Sequence, residues 1–441
     1  MARALALAVV ISAAAAAQEA PAPAAQRLTL EAAVQLALQR NPDLVKQTLQ
    51  RLSSEQDLVI ARSQILPQLN FNASLADTRV NGPIVLVSGA TVSTVQGTTY
   101  SGNYSAGLVL RQLVFDGGKW WNNLSAADLG LQASQAQVDE QKLQITYLVE
   151  QRFYELLRAQ RQLNVLADAA ARSRDQADFT QRLFEGGRST QADVYAARAN
   201  RDNDEIQRLG QERAVELARA DLAIAIGLDP SEPLAVAEPA NLLAEPGPPP
   251  ALRDAVGRAL ESRPSLKAFS LSAESSRKSA AAARGDYWPT VGLFAQLNRG
   301  TQSFSTYFDR PDLNSQASAG VNLSWNLFGG FLTDANARKA EVQTLIAENE
   351  LRSARRNVAS DVDKAVAQLS TARAQSRVAQ QSEQTAKEGL RLARTRQEVG
   401  VGTQLEVRDA ELKLTQAQLS VVGSLVDGRE AEAALRRAQG G

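Results

Sequence analysis

The chain states one plan twice, so any fold for it must be assembled from two equivalent halves. Gly187 matches Gly400, Thr190 matches Thr403, Asp193 matches Glu406 and Val194 matches Val407, each pair 213 positions apart. The same offset pairs Gly107 with Gly320, Leu110 with Leu323, Phe115 with Phe328 and Gly117 with Gly330. Upstream the offset is 222, pairing Ala33 with Ala255, Leu38 with Leu260, Pro42 with Pro264 and Pro67 with Pro289. A period this long marks a duplicated unit and not a short solenoid repeat. The first copy is longer by nine residues, all between Pro67 and Ser105, in a stretch rich in Gly, Ser, Thr and Val. The simplest expectation is a lengthened surface loop, where extra chain costs little.

Helix breakers set the next level. From Trp120 to Glu185 there is no Pro and one Gly, Gly130, and from Leu332 to Val399 Gly389 is the lone Gly. Each stretch predicts a helix on the order of 100 Å long. In the second copy Leu351, Ala354, Val358, Ala365, Leu369, Ala372, Ser376 and Ala379, then Ala386, Leu390 and Ala393, recur at coiled-coil spacing, with Asp361 and Glu383 interrupting. Small knobs of this kind imply close helix axes. A Gly turn ends each long helix, and a return helix follows from Thr190 or Thr403, each placed as an N-cap with a carboxylate three residues on. A shorter helix over 43–66 precedes Pro67, and the two short helices stacked end to end match one long one.

After Leu66-Pro67 and Trp288-Pro289 the period becomes two. Leu69, Phe71, Ala73 and Leu75 alternate with Gln68, Asn70, Asn72 and Ser74, and Ala319, Val321, Leu323 and Trp325 alternate with Ser318, Gly320, Asn322 and Ser324. Strands are expected over 68–77, 104–115, 290–298 and 317–327. Alternation of this length suits a barrel strand between lipid and a wet lumen. Four strands are too few to close one with a useful lumen. Trp120, Trp121, Trp288 and Trp325 sit at strand ends or strand–helix junctions, as a membrane-interface girdle requires. A soluble core at such a junction would also take them. Gly117-Gly118 and Gly329-Gly330 are expected to make the sharp strand-to-helix turns.

Composition removes other chemistries. Lys plus Arg and Asp plus Glu both total 48, giving a nucleic-acid binder no footing. With no His and no Cys, zinc sites of those ligands, thiol nucleophiles and His-based triads are excluded. No phosphate-binding Gly loop is present, and no cofactor, metal site or catalytic residue is expected. Asp202, Asp204 and Glu205, like Asp361 and Asp363, read as solvated helix faces before metal ligands. Residues 1–17 read as a secretory signal peptide and 18–26 as a disordered lead-in. The repeats then span 27–227 and 251–438. Between them lies a linker or belt over 228–250, holding seven of the 15 prolines.

The order helix, strand, loop, strand, Phe-x-Gly-Gly, long helix, given twice at Phe115-Asp-Gly-Gly118 and Phe328-Gly-Gly330, with Gly-x-x-Thr-x-x-Asp/Glu-Val tips, resembles the TolC-type outer membrane efflux protein family. The resemblance covers nearly the whole mature chain. It implies a coiled-coil α-barrel of long periplasmic helical hairpins joined to a membrane β-barrel, in a homotrimer with four strands per chain and twelve in all. It further implies an outer membrane exit duct, not an enzyme, for tripartite efflux or type I secretion. Its partners would be a periplasmic adaptor, an inner-membrane pump (proton-driven or ABC) and outer membrane lipid. Glu406 and Asp409 match the family's tunnel-entrance selectivity carboxylates, and Asp193 matches a position that latches the entrance, here facing Gln397. Gly186, Gly187, Arg188, Val399, Gly400, Val401 and Gly402 are the exposed turns where an adaptor would dock, although turn chemistry alone accounts for the glycines. A solvated helix face would equally account for Glu406 and Asp409. The competing functional class is a secreted structural coiled-coil protein without transport activity, in which the strands and tryptophans have no purpose. A periplasmic hydrolase would need paired carboxylates in a pocket, and no such scaffold is legible.

Overall fold

The computed structural model describes residues 28–239, 242, 244–302, 307 and 315–441. The expected signal peptide and lead-in lie outside these residues. Helices α1 (Leu30–Arg40) and α2 (Pro42–Ser63) precede strands β1 (Gln68–Ser88) and β2 (Thr91–Phe115), then α3 (Lys119–Glu185) and α4 (Gln191–Ala225). The second copy repeats the order as α5 (Leu252–Ser262), α6 (Pro264–Arg284), a single 3-10 turn, β3 (Thr290–Thr301), β4 (Ser315–Ser324), α7 (Leu332–Glu398) and α8 (Gln404–Gln439). The duplication is carried into the element boundaries. Helices α3 and α7 are both 67 residues long and begin at equivalent positions.

Local chemistry places the ends. Thr29 caps α1 by accepting the Ala32 N–H, and Pro42 and Pro264 open α2 and α6, where a missing N–H costs nothing. The left-handed pair at the strand-to-helix turn is Gly117–Gly118 in the first copy but Gly330–Phe331 in the second, with Phe331 at φ 66°. The expected Gly329-Gly330 turn is therefore displaced by one residue. A side chain in this conformation costs on the order of 1–2 kcal/mol.

The chain divides into two compact units. One comprises residues 42–144, 250–365 and 436–441 and contains the sheet and helices α2, α5 and α6. Within it α6 is bonded to α3 through Ser275 Oγ and the Ala126 carbonyl (2.8 Å), and to α7 through Arg277–Glu348 (2.8 Å) and Arg284–Glu341 (2.7 Å). Ala354, Val358, Val362 and Ala365 carry the buried seam of α7. Val362 is the knob where Asp361 was expected to interrupt, so the stripe is continuous and Asp361 stands beside it.

The sheet is antiparallel in the order β1-β2-β3-β4. The ladder between β1 and β2 runs unbroken from Gln68↔Arg111 to Ser88↔Thr91 and turns at Gly89 and Ala90. The expected loop over the nine additional residues is thus a two-stranded ribbon, and the expected ends at 77 and 104 fall in mid-ladder. Its Thr and Val residues are strand formers, and that property outweighs the Gly and Ser that suggested a loop. Pairing with β3 stops at Tyr104↔Thr301, and Tyr104 faces Leu75, so residues 76–103 extend beyond the part paired to β3. Strand β4 ends at Ser324, short of the expected 327.

The second unit comprises residues 1–41, 145–249 and 366–435. Phe153, Leu156, Leu222, Ile226, Leu242 and Val426 are among its fully buried side chains. The described residues of the Pro-rich segment are held at defined points. Leu28 and Val236 form a parallel bridge, Glu245 accepts from Arg373 and Arg377, and Gly247 N–H donates to Glu432 (2.8 Å).

Candidate functional site

The hairpin tips are built by matching turns. Gly187 at φ 72° and Gly400 at φ 80° end the long helices, with Arg188 N–H on the Leu183 carbonyl (2.8 Å) and Val401 N–H on the Arg396 carbonyl (3.0 Å). These are Schellman turns, which only a residue tolerant of left-handed backbone can close. A Cβ on Gly402 would lie 2.9 Å from Arg396 atoms, so that turn also needs a bare backbone.

At the first tip Thr190 Oγ1 accepts the Asp193 N–H (3.2 Å) while Asp193 Oδ2 accepts the Thr190 N–H (3.0 Å). The hydroxyls of Thr190 (2.7 Å) and Ser189 (3.1 Å) donate to the same carboxylate oxygen. The backbone bond first, then the two hydroxyls, hold the Asp193 carboxyl below its ordinary value. Asp193 is thus committed to its own helix start, and no hydrogen bond among the described residues joins it to Gln397.

At the second tip the Thr403 hydroxyl accepts the Glu406 N–H (3.2 Å), but the Glu406 carboxylate faces Arg396 at 3.5 Å. Glu406 and Asp409 line one groove of about 610 Å³ between α7 and α8, with Ala386, Gly389, Ala393 and Lys413. Lys413 lies 2.6 Å from Asp409. Both ion pairs are solvent-exposed, so the cations are exchangeable companions of the carboxylates.

Above the tips lies a buried polar clasp that local periodicity did not reveal. Arg408 on α8 meets Asp204 on α4 through two bonds, 2.6 and 2.8 Å, with side chains 15% and 7% exposed. Asp204 is therefore not on a solvated face, as expected, but inside. One signal was present: Asp204 falls seven residues after Ala197 on the stripe that buries Val194 and Ala197. Glu411, on the stripe between Val407 and Leu414, is likewise buried and paired with Arg394 (2.8 Å). Arg172 on α3 donates to Thr415 (3.1 Å), and farther along Arg158 bonds Asp427 (2.7 Å) and Glu430 (3.0 Å). Both hairpins are therefore tied through α8. Asp202 pairs with Arg201 and Glu205 with Arg208, and no metal-holding cluster occurs among the described residues.

The sheet has two unlike faces. Register places Leu69, Phe71, Ala73 and Leu75 beside Leu110, Leu108, Ala106 and Tyr104, with Ala295 and Leu297, then Ala319 and Ala317, continuing the first two rows. The reverse face carries Gln68, Asn70, Asn72, Ser105, Gln296, Asn298, Ser318 and Asn322. Trp120 and Trp121 stack edge to face (5.4 Å), Trp325 Nε1 donates to the Tyr287 carbonyl (3.2 Å), and Trp121, Trp288 and Trp325 are more than half exposed. They stand where strands and helices join. No described helix is long and apolar enough to cross a membrane.

This arrangement has known counterparts. The chain is 25% identical to the outer membrane protein TolC of Vibrio cholerae over 393 residues, covering 89% of this chain and 86% of that protein. It is 25% identical to the protease secretion protein PrtF of Dickeya chrysanthemi over 392 residues, covering 87% and 81%. Its fold matches the crystal structure of the outer membrane protein VceC of Vibrio cholerae with a TM-score of 0.77 at 20% identity, covering 93% and 96%. The outer membrane efflux protein model matches residues 33–228 and again 255–441, one match for each repeat. With both halves of the chain matched, the chain belongs to the outer membrane efflux protein family.

Proposed function

We propose that three copies of the chain close one twelve-stranded barrel in the outer membrane, their helices forming a periplasmic tunnel. The assembly is the passive exit duct of a tripartite efflux or type I secretion system. The observation that carries this reading is the open four-stranded sheet, apolar on one face and polar on the other. Strands β1 and β4 each have one edge without a partner among the described residues, which further copies would pair. The tryptophans at the strand–helix junctions occupy the periplasmic interface of the outer membrane.

At the periplasmic entrance Glu406 and Asp409, repeated by symmetry, form acidic rings that draw cations. The turns Gly186, Gly187, Arg188 and 399–402 meet a periplasmic adaptor, which couples the duct to a proton-driven or ABC pump in the inner membrane. Closure of the entrance is assigned to the Asp204–Arg408 clasp, because Asp193 is held by its own cap. Purified outer membranes should yield heat-modifiable trimers that form channels in planar bilayers. A detergent-soluble monomer without channel activity would leave the structural coiled-coil reading in its place.

A further inference from the structure

Four described strand residues are charged, and three of them, Asp77, Arg79 and Arg299, share the apolar face. Arg111 alone is on the polar face. Its row across the sheet is Gln68↔Arg111↔Phe294↔Gly320. Neither neighbour engages it. The Gln68 amide turns back to donate to the Ser63 (2.7 Å) and Leu66 (3.3 Å) carbonyls, and the Phe294 ring lies over Gly320, where a Cβ would come within 3.1 Å of it. Arg111 is exposed and makes no hydrogen bond or ion pair among the described residues. Among the described strand residues the rest of the face offers only Ser, Thr, Asn, Gln, Gly and scattered apolar residues, with no carboxylate to neutralise it.

We propose that Arg111 is the anion-recognising residue of the barrel lumen, and that it favours passage of solutes bearing a carboxylate, phosphate or similar anionic group. The inference rests on the trimeric duct reading, which turns the polar face inward and repeats Arg111 around the axis. A guanidinium presents a rigid fork of N–H donors matched to oxyanions. Placed at the first row of β1, in a lumen of uncharged walls, its field is unopposed and sets local ion occupancy. The charge is opposite to that of Glu406 and Asp409, so the duct carries two filters of opposite sign in its two units. A cation must pass the guanidinium ring and an anion the acidic rings. A solute that bears both charges meets an opposite charge at each filter.

The test is ion selectivity of the purified full-length trimer in planar bilayers under a KCl gradient, with citrate as the probe anion. Arg111→Gln should lower the chloride-to-potassium permeability ratio about threefold and abolish citrate block. Arg111→Lys should retain both, and block by divalent cations should be unchanged in either variant. An unaltered permeability ratio and citrate block in Arg111→Gln channels overturns the assignment of Arg111 while leaving the duct intact. If the wild-type chain forms no channel, the duct reading falls and this inference with it.

Discussion

Glu430 and Thr190 show how single side chains set local stability. Burial, then the nearby Glu155 and Asp427 carboxylates, push the Glu430 carboxyl above its ordinary value, opposed by Arg158. A carboxyl shifted upward costs the folded state stability once ionised. The cost is absent below the unfolded value of about 4.3, grows from there up to the folded value and is constant above it. Glu430→Gln should therefore melt at a higher temperature than wild type at pH 7, the two curves converging toward pH 4. Thermal scans across that range check this. Asp193 has the opposite sign. Its depressed folded value contributes stability present above about 3.9 and lost as pH falls through the folded value. Thr190→Ala should weaken the first turn of α4 by roughly 1 kcal/mol, seen as about fivefold faster amide exchange there.

At the scale of elements, the clasp and the ribbon behave differently. Asp204→Asn leaves the buried Arg408 without its counter-charge and should cost roughly 3 kcal/mol, measured by denaturant unfolding of the purified protein. Removing both charges with Asp204→Leu and Arg408→Leu should cost much less, because no orphaned ion remains. Each variant should also raise the resting conductance of single channels, as the proposed role of the clasp in closure requires. The ribbon, by contrast, is expected to be dispensable. Deleting residues 79–100 and joining the paired Thr78 and Ser101 by an Asn-Gly turn should leave assembly and membrane insertion unchanged, because pairing to β3 begins only at Tyr104. Loss of trimers on native gels would show that the ribbon helps to build the barrel.

For the whole molecule, tunnel selectivity is the readout. Glu406→Ala with Asp409→Ala should weaken divalent-cation block of single channels at least about tenfold, the Lys413 and Arg396 partners notwithstanding. The architecture behind that test was largely legible in the amino-acid order. Pro67 and Pro289, the Gly turns at 187 and 400 and the exact length match of α3 and α7 are local signals, and local rules read them. The clasp was not, because pairing Asp204 with Arg408 depends on the register of elements far apart in the chain. Periodicity within one helix says which face is inside but not what charge waits there. Asp361 and Val362 show the same limit over one position, since a heptad drifts against 3.6 residues per turn. The ribbon was missed for another reason: Gly, Ser, Thr and Val serve both loops and strands until a partner strand is known.

The turn at Gly89 and Ala90 has a practical use. It is exposed, it ends the longest ladder, and both flanking strands outrun their neighbours. An epitope inserted between these two residues would be carried on a stalk clear of the sheet. In the orientation proposed, it would be stained on intact cells before any permeabilisation, giving a direct reporter of which way the chain points.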